Sequence, residues 1–551
     1  MTSNAGTVIE AHGRGFECYI VDDCMDVCEE SFHDSGPEKD EFLGIRNVLH
    51  SRMARQLSFA DRFISLSKVS EAINASNQAS QPKPWDIQCR DALDIPVLLS
   101  AYASSSLTPT RLITALHSRF SGTPDIEKIF LHLESLSSLK TRASSLEAKY
   151  PHPHQRPPLY GIPFSVKDSF DVATILTSAA CDVLRYTPTD SAYVVKKLLS
   201  LGGILIGKTN MDQLATGLTG CRSPYGIPPN ACSPNYVPGG SSSGACVSVA
   251  AGLVSFAVGT DTAGSGRVPA GFNGIVGFKP TKGTVSLEGV VKACESFDCI
   301  AYETLSVGSA RTLWRLTRGF DPEDRMAKQQ IAPAIQRCSV EEDDCMKFSI
   351  AIPPQKNLGV CSDHYQMGFA VAVAKLQSLG ATVTKLSDND WELFEAAGKL
   401  LYEGSFVLER LAGLPKGWLD ENIRSLHPVT ERVFQTARSR LTSAEDLFRD
   451  LHSMMSLRRR AQILFNKFDL VLVPTTPMIP TIEEVNESPL RVNELLGTFS
   501  HAANVLDLCA IALPVTLGDG PPFSVTLMGA EREDADLLTK AALVENSLKG
   551  F

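Results

Sequence analysis

The stretch NYVPGGSSSGACVSVAAG, residues 235–252, places two glycines, three consecutive serines and a further glycine ahead of a run of small apolar residues. A flexible linker, a phosphate-binding loop, a nucleophile elbow and an active-site loop are the readings to weigh. Linkers do not run into an apolar helical stretch such as ACVSVAAGLVSF. A P-loop needs Lys and Ser or Thr after its last glycine, whereas Ala245 and Cys246 follow Gly244. Gly240 to Gly244 satisfies the letters of G-x-S-x-G around Ser242, but SPNYVPGG, with Pro234 and Pro238, makes a poor buried strand before it. Backbone N–H groups at a helix start, beside close-packed glycines, suit an active-site loop better.

Two further elements point the same way. Downstream, VGTDTAGSGRVPA (258–270) runs from a strand-like stretch into a second glycine-rich turn that carries Ser265. Upstream, LYGIPFSVKDSFD (159–171) ends an apolar stretch on Lys167, where an unpaired charge is costly.

Around these elements, apolar strand-like stretches alternate with helical ones. LYGIPFSV, GGILIGK, VSFAVGT, KFSIAIP and FDLVLVPTTP read as strands; DSAYVVKKLLSLG, VCSDHYQMGFAVAVAKLQSLG and ADLLTKAALVENSL read as helices. The alternation predicts an α/β fold around a mainly buried sheet. Residues 1–90 differ: they are polar and acidic at first and end in SNQASQPKPWD, a linker composition, so they read as an N-terminal extension to a domain spanning 91–551. At the start of that domain, Ser106 to Thr110 reads as a turn, with Thr108 capping a helix that begins at Pro109. No repeat of 20 to 50 residues is visible.

Composition narrows the function classes. The 551 residues are 43% hydrophobic and 21% charged, ordinary for a globular enzyme with a large core. A formal charge of −10, with Arg458, Arg459 and Arg460 as a solvated helix face, gives no nucleic-acid footprint. The charge-free run Gly239–Thr260 is rich in Gly, Ser and Ala and is a poor membrane span, and the start MTSNAGTVIE lacks the pattern of a secretory signal. Fourteen scattered cysteines without a CxxC favour a reducing, cytoplasmic compartment. The spacing of Cys18, Cys24, Cys28 and His33 fits no standard zinc finger, and His152 and His154 lie in a proline-rich connector, so no metal is expected.

GIPFSVKD, PGGSSSGA and GTDTAGSGRVPA together resemble the amidase signature family, from about residue 91 to the end of the chain. The resemblance implies a large mixed β-sheet covered by helices on both faces and cleavage of an amide C–N bond by a Ser-Ser-Lys triad. Carried over residue by residue, Ser265 is the nucleophile, Ser241 a bridging serine after a cis peptide bond, and Lys167 the base. The N–H groups of Thr262, Ala263, Gly264 and Ser265 form the oxyanion hole. The roles make chemical sense: a serine hydroxyl is a weak nucleophile until a base takes its proton. Bringing a lysine from ~10.4 to near 7 takes about 4–5 kcal/mol, at ~1.36 kcal/mol per unit, which burial can supply.

Within that family, KTNMDQLATGLTGCRSPYG, GVVKACESFDCIA, NVLDLCAIALPV and LLYEGSFVLER resemble the allophanate hydrolase branch. The resemblance assigns Tyr402 and Arg410 to substrate, with backbone contact at Gly217, and an arginine fork suits a substrate carboxylate. Eight helical residues span ~12 Å, so Tyr402 and Arg410 can converge on one small ligand only if the helix breaks near Gly404 or the arginine reaches far. The implied reaction is allophanate to ammonia and N-carboxycarbamate with no cofactor; one component of a glutamine-dependent amidotransferase, an amidase for another small amide and a non-catalytic scaffold are the alternatives. A homodimer is among the family's usual states. The chain stops at Phe551, before the smaller domain that familiar allophanate hydrolases carry next, which puts the decarboxylation that follows in doubt.

Overall fold

The computed structural model describes residues 89–329, 348–440, 443–518 and 520–549, all within one unit, Asp86–Phe551. Nearly all of the expected N-terminal extension, including Cys18, Cys24, Cys28 and His33, lies outside the described residues.

Eleven strands among the described residues form a single sheet. In chain order they are β1 (Phe130–Leu133), β2 (Pro163–Lys167), β3 (Ile204–Thr209), β4 (Phe256–Asp261), β5 (Val276–Lys279) and β6 (Cys299–Thr304). There follow β7 (Ser349–Ile352), β8 (Thr382–Lys385), β9 (Leu470–Pro474), β10 (Cys509–Val515) and β11 (Phe523–Gly529). Their spatial order is β1-β3-β2-β4-β6-β5-β10-β11-β9-β7-β8. Strands β3, β2 and β4 run parallel, as do β9, β7 and β8; antiparallel pairings through β6, β5, β10 and β11 join the two groups. The sheet is therefore mixed, as the resemblance implied.

The five strand-like stretches of the sequence all form strands, β2, β3, β4, β7 and β9, each belonging to a parallel group. Strands of that kind are covered on both faces and read as continuous apolar runs. The turn at Ser106–Thr110 also forms: the helix Pro109–Gly122 begins there, with Thr108 Oγ1 accepting from Arg111 N at 3.3 Å. Helices cover both faces of the sheet. Ser524 on β11 is what a Cβ added to Gly271 would strike, in the helix Arg267–Phe272, whereas Gly529 faces Leu537 in the helix Asp534–Lys549. Positions 524 and 529 are an odd number apart and so point to opposite faces. Among the described residues, no helix is long and apolar enough to cross a membrane.

Candidate active site

Because β3, β2 and β4 are parallel neighbours, their carboxyl ends lie side by side, with Lys167 opposite Thr209 and Val166 opposite Val258. Loops leaving the carboxyl ends of adjacent parallel strands make a natural crevice for a ligand. Lys167 closes β2 and is fully buried; its Nζ donates to Ser241 Oγ at 2.7 Å and to Thr260 Oγ1 at 2.8 Å. Burial lowers its pKa from 10.5 to about 8, against the opposing pull of Glu303, Asp212, Asp298 and Asp261. An amine in that condition can exchange a proton with the hydroxyl it touches.

Ser241 follows a cis peptide bond from Gly240 and stands just ahead of the helix Ser243–Ala250. Its carbonyl accepts from Asp212 N at 3.1 Å, and the carboxylate of Asp212 accepts from Gly220 N at 3.0 Å and Arg222 N at 2.8 Å. The next residue ties the two serine loops together: Ser242 N donates to Ser265 O at 3.2 Å. Ser265 is buried in the turn between β4 and the helix Arg267–Phe272. No hydrogen bond joins the hydroxyls of Ser241 and Ser265, so a proton relay between them would need a hydroxyl rotation; such contacts commonly tighten only when substrate binds.

The turn wraps around Asp261. Its carboxylate accepts from the N–H groups of Gly264 (2.8 Å), Gly266 (3.2 Å) and Arg267 (3.3 Å), and from Arg267 Nε (2.9 Å) and Nη2 (3.0 Å). Burial alone would raise the Asp261 pKa, but Arg267 and these donors bring it down to about 2. Of the four N–H groups expected to form the oxyanion hole, that of Gly264 is engaged by Asp261. The N–H groups of Thr262, Ala263 and Ser265 have no acceptor among the described residues. Ser500 Oγ fixes the turn from outside by donating to Ala263 O at 2.8 Å, and Thr262 Oγ1 donates to Asp298 at 2.5 Å.

The helix Asp388–Tyr402 ends just before Gly404; a 3-10 turn, Ser405–Leu408, and a short helix, Glu409–Ala412, follow. That break is one of the two ways in which Tyr402 and Arg410 could meet on one small ligand. Arg410 is buried and its Nη1 donates to Thr216 Oγ1 at 3.3 Å and Ala215 O at 3.4 Å, which brings it next to Gly217. Gly217 itself is packed closely, since a Cβ there would come within 2.7 Å of Asp212 Oδ2. The Tyr402 ring lies 4.7 Å from that of His501. Buried His501, which follows Ser500, is not legible in the sequence as part of the site; burial, with Arg267 and Arg410 adding to it, holds its pKa at about 3, so the imidazole is neutral. Thr260, Asp261 and Asn504 escape a sequence reading too, because the polar groups that shape a turn carry no periodic signal. Among the described residues, no cluster of three or more His, Cys, Asp or Glu could hold a metal ion.

Residues 127–538 match the family model described as Amidase. The urea amidolyase of Saccharomyces cerevisiae is 36% identical over 444 residues, which cover 80% of this chain and 23% of that one. The chain thus spans less than a quarter of the length of that relative. The solved structure of Kluyveromyces lactis allophanate hydrolase matches with a TM-score of 0.73 and 33% identity, covering 83% of this chain and 73% of that one. A glutamyl-tRNA(Gln) amidotransferase subunit from Streptococcus gordonii is 32% identical over 409 residues, covering 70% of this chain and 82% of the relative.

Proposed function

Since the chain belongs to the amidase family, we propose that it cleaves the C–N bond of a small amide bearing a carboxylate, with allophanate as substrate and ammonia and N-carboxycarbamate as products. The observation that carries this reading is the buried Lys167–Ser241 contact, 2.7 Å long, tied through Ser242 to the turn that holds Ser265. Arg410, beside Thr216 and Gly217, supports the carboxylate.

In the proposed cycle, Ser265 Oγ attacks the amide carbon while its proton passes through Ser241 to Lys167. The N–H groups of Thr262, Ala263 and Ser265 hold the oxyanion, and the tetrahedral adduct collapses as Lys167 returns the proton, through Ser241, to the departing nitrogen. Water then attacks the acyl-enzyme by the reverse relay. Two of the family's usual four N–H candidates flank Gly264, whose own donation to Asp261 fixes their direction. A reducing, cytoplasmic setting agrees with the nine free cysteines among the described residues.

The likeness to an amidotransferase component over 82% of its length favours a second reading, a glutaminase that passes ammonia to a partner. One experiment separates the two: ammonia release from allophanate, glutamine, malonamate and a neutral aromatic amide, with Arg410→Ala in parallel. Allophanate should be turned over best, and the variant should lose about 10- to 100-fold in kcat/KM on carboxylate substrates alone, the worth of a charge-assisted contact. Preference for glutamine, or indifference to Arg410, would overturn the substrate assignment while leaving the amidase chemistry in place.

A further inference from the structure

Glu303 lies in the middle of the sheet, on β6, with no exposed surface, and neither of its carboxyl oxygens has a hydrogen-bond partner. A core position left this dry ordinarily carries an apolar side chain, because an unpartnered carboxylate loses its hydration without compensation. The register shows where this carboxyl goes. Glu303 pairs with Ala257 on β4, and Ala257 pairs in turn with Ser165 on β2. Alternation then puts Ser165, Lys167, Ala257, Gly259 and Glu303 on one face. Gly259 stands in the path between the two ionisable side chains and leaves it open: a Cβ there would come within 2.5 Å of Glu303 Oε1 and 2.6 Å of Ser242 Oγ. The carboxyl therefore leans across β4 toward the serine loop that Lys167 contacts.

The other charged groups around Lys167 are already matched. Asp261 has Arg267 and three N–H groups, Asp212 has Arg222 and two N–H groups, and Asp298 has Thr262 Oγ1 with the N–H groups of Ala293 and Cys294. Cys246, from the helix Ser243–Ala250, also faces Glu303, but burial holds its thiol protonated. Glu303 alone among these carboxyls has no hydrogen bond to either oxygen, and the N–H groups of Gly259 and of Glu303 itself approach it without meeting hydrogen-bonding geometry.

Resting on the reading of Lys167 as the base, we propose that Glu303 is a positioning residue for the triad: it shares one proton with Lys167, and its carboxylate is the counter-charge that lets the buried amine become an ammonium. Two trends agree with this geometry. Burial is the main cause that lifts the Glu303 carboxyl well above its ordinary range, with Lys167 opposing, and Glu303 is the foremost group holding the Lys167 pKa up against burial. Removing the counter-charge should make the ammonium harder to form, so Lys167 should titrate lower.

The test follows the Lys167 Cε resonance through pH in 13C-lysine-labelled protein, identified by its loss in Lys167→Ala, beside the acid limb of kcat/KM. Glu303→Gln keeps the volume. Glu303→Leu removes the unpartnered oxygens and should fold at least as stably, which thermal melting checks. The expected result is a fall of about one pH unit or more in both the resonance midpoint and the acid limb, in both variants, with KM little changed. A midpoint that stays put in both variants overturns the proposal, since the carboxyl would then be protonated throughout. Should Lys167→Ala stay active, the base assignment itself falls, while the resonance midpoint still judges the pair.

Discussion

An amine serves as a base only in the fraction that is unprotonated, and for Lys167 burial sets that fraction. With its pKa lowered to about 8, the neutral form dominates above that pH and shrinks tenfold for each unit below it. The expected pH profile of kcat/KM therefore rises with slope one up to about 8 and then levels, and a profile already flat between 6 and 8 would contradict it. Ser265→Ala should lower kcat by at least about a thousandfold, and Lys167→Ala comparably, because residues that act as one unit fail together. At this scale the sequence is informative where chemistry is unusual. A lysine ending an apolar strand and serines among glycines stand out in any reading. Glu303 does not, since CIAYET looks like an edge strand with a polar end, and only the structure buries all six of its residues.

The turn between β4 and the helix Arg267–Phe272 is an element whose shape is its function. Gly264 has a φ of +114°, and a Cβ there would lie 2.5 Å from Ser500 Oγ, so Gly264→Ala must displace the turn. The neighbouring N–H groups of Ala263 and Ser265 would lose their aim, and kcat should fall by about 100-fold with KM little changed. Gly274→Ala is the control: its φ of +63° is also left-handed, but the nearest atom to its Cβ is 3.9 Å away, so it should cost stability and spare kcat. Elements are legible in the sequence according to how they are covered. The buried strands of the parallel groups announce themselves as apolar runs, whereas β8, the mostly exposed edge strand of its parallel group, and the short β1 and β5 give no such run. The break after Tyr402 is one of the two options that the ~12 Å span of eight helical residues leaves open, and it is realised beside Gly404.

Across the whole molecule, distant parts of the chain close on the same turn. Asn504 Nδ2 donates to Asp261 O at 2.7 Å and to Phe297 O at 3.1 Å, while its Oδ1 accepts from Arg267 Nη2 at 2.9 Å. Asn504→Ala removes a donor from each of two buried carbonyls and one of the three acceptors of Arg267 Nη2, which should cost about 1–3 kcal/mol and lower Tm by a few degrees. Activity should decline in the same variant even well below its melting range, and melting unchanged from the parent would refute the role. No reading of local pattern could find this contact, because its partners lie 207 to 243 residues apart in the chain. The insertion of β10 between β5 and β11 carries a consequence for biosynthesis. Ribosomes deliver the chain from its N-terminus, so Lys167, Ser241 and Ser265 emerge long before Asn504 and β10. A nascent polypeptide would hold Lys167, Ser241 and Ser265 yet lack the strand that ties the two halves of the sheet until residues past 515 clear the exit tunnel, so the site takes its final shape only after that strand is made.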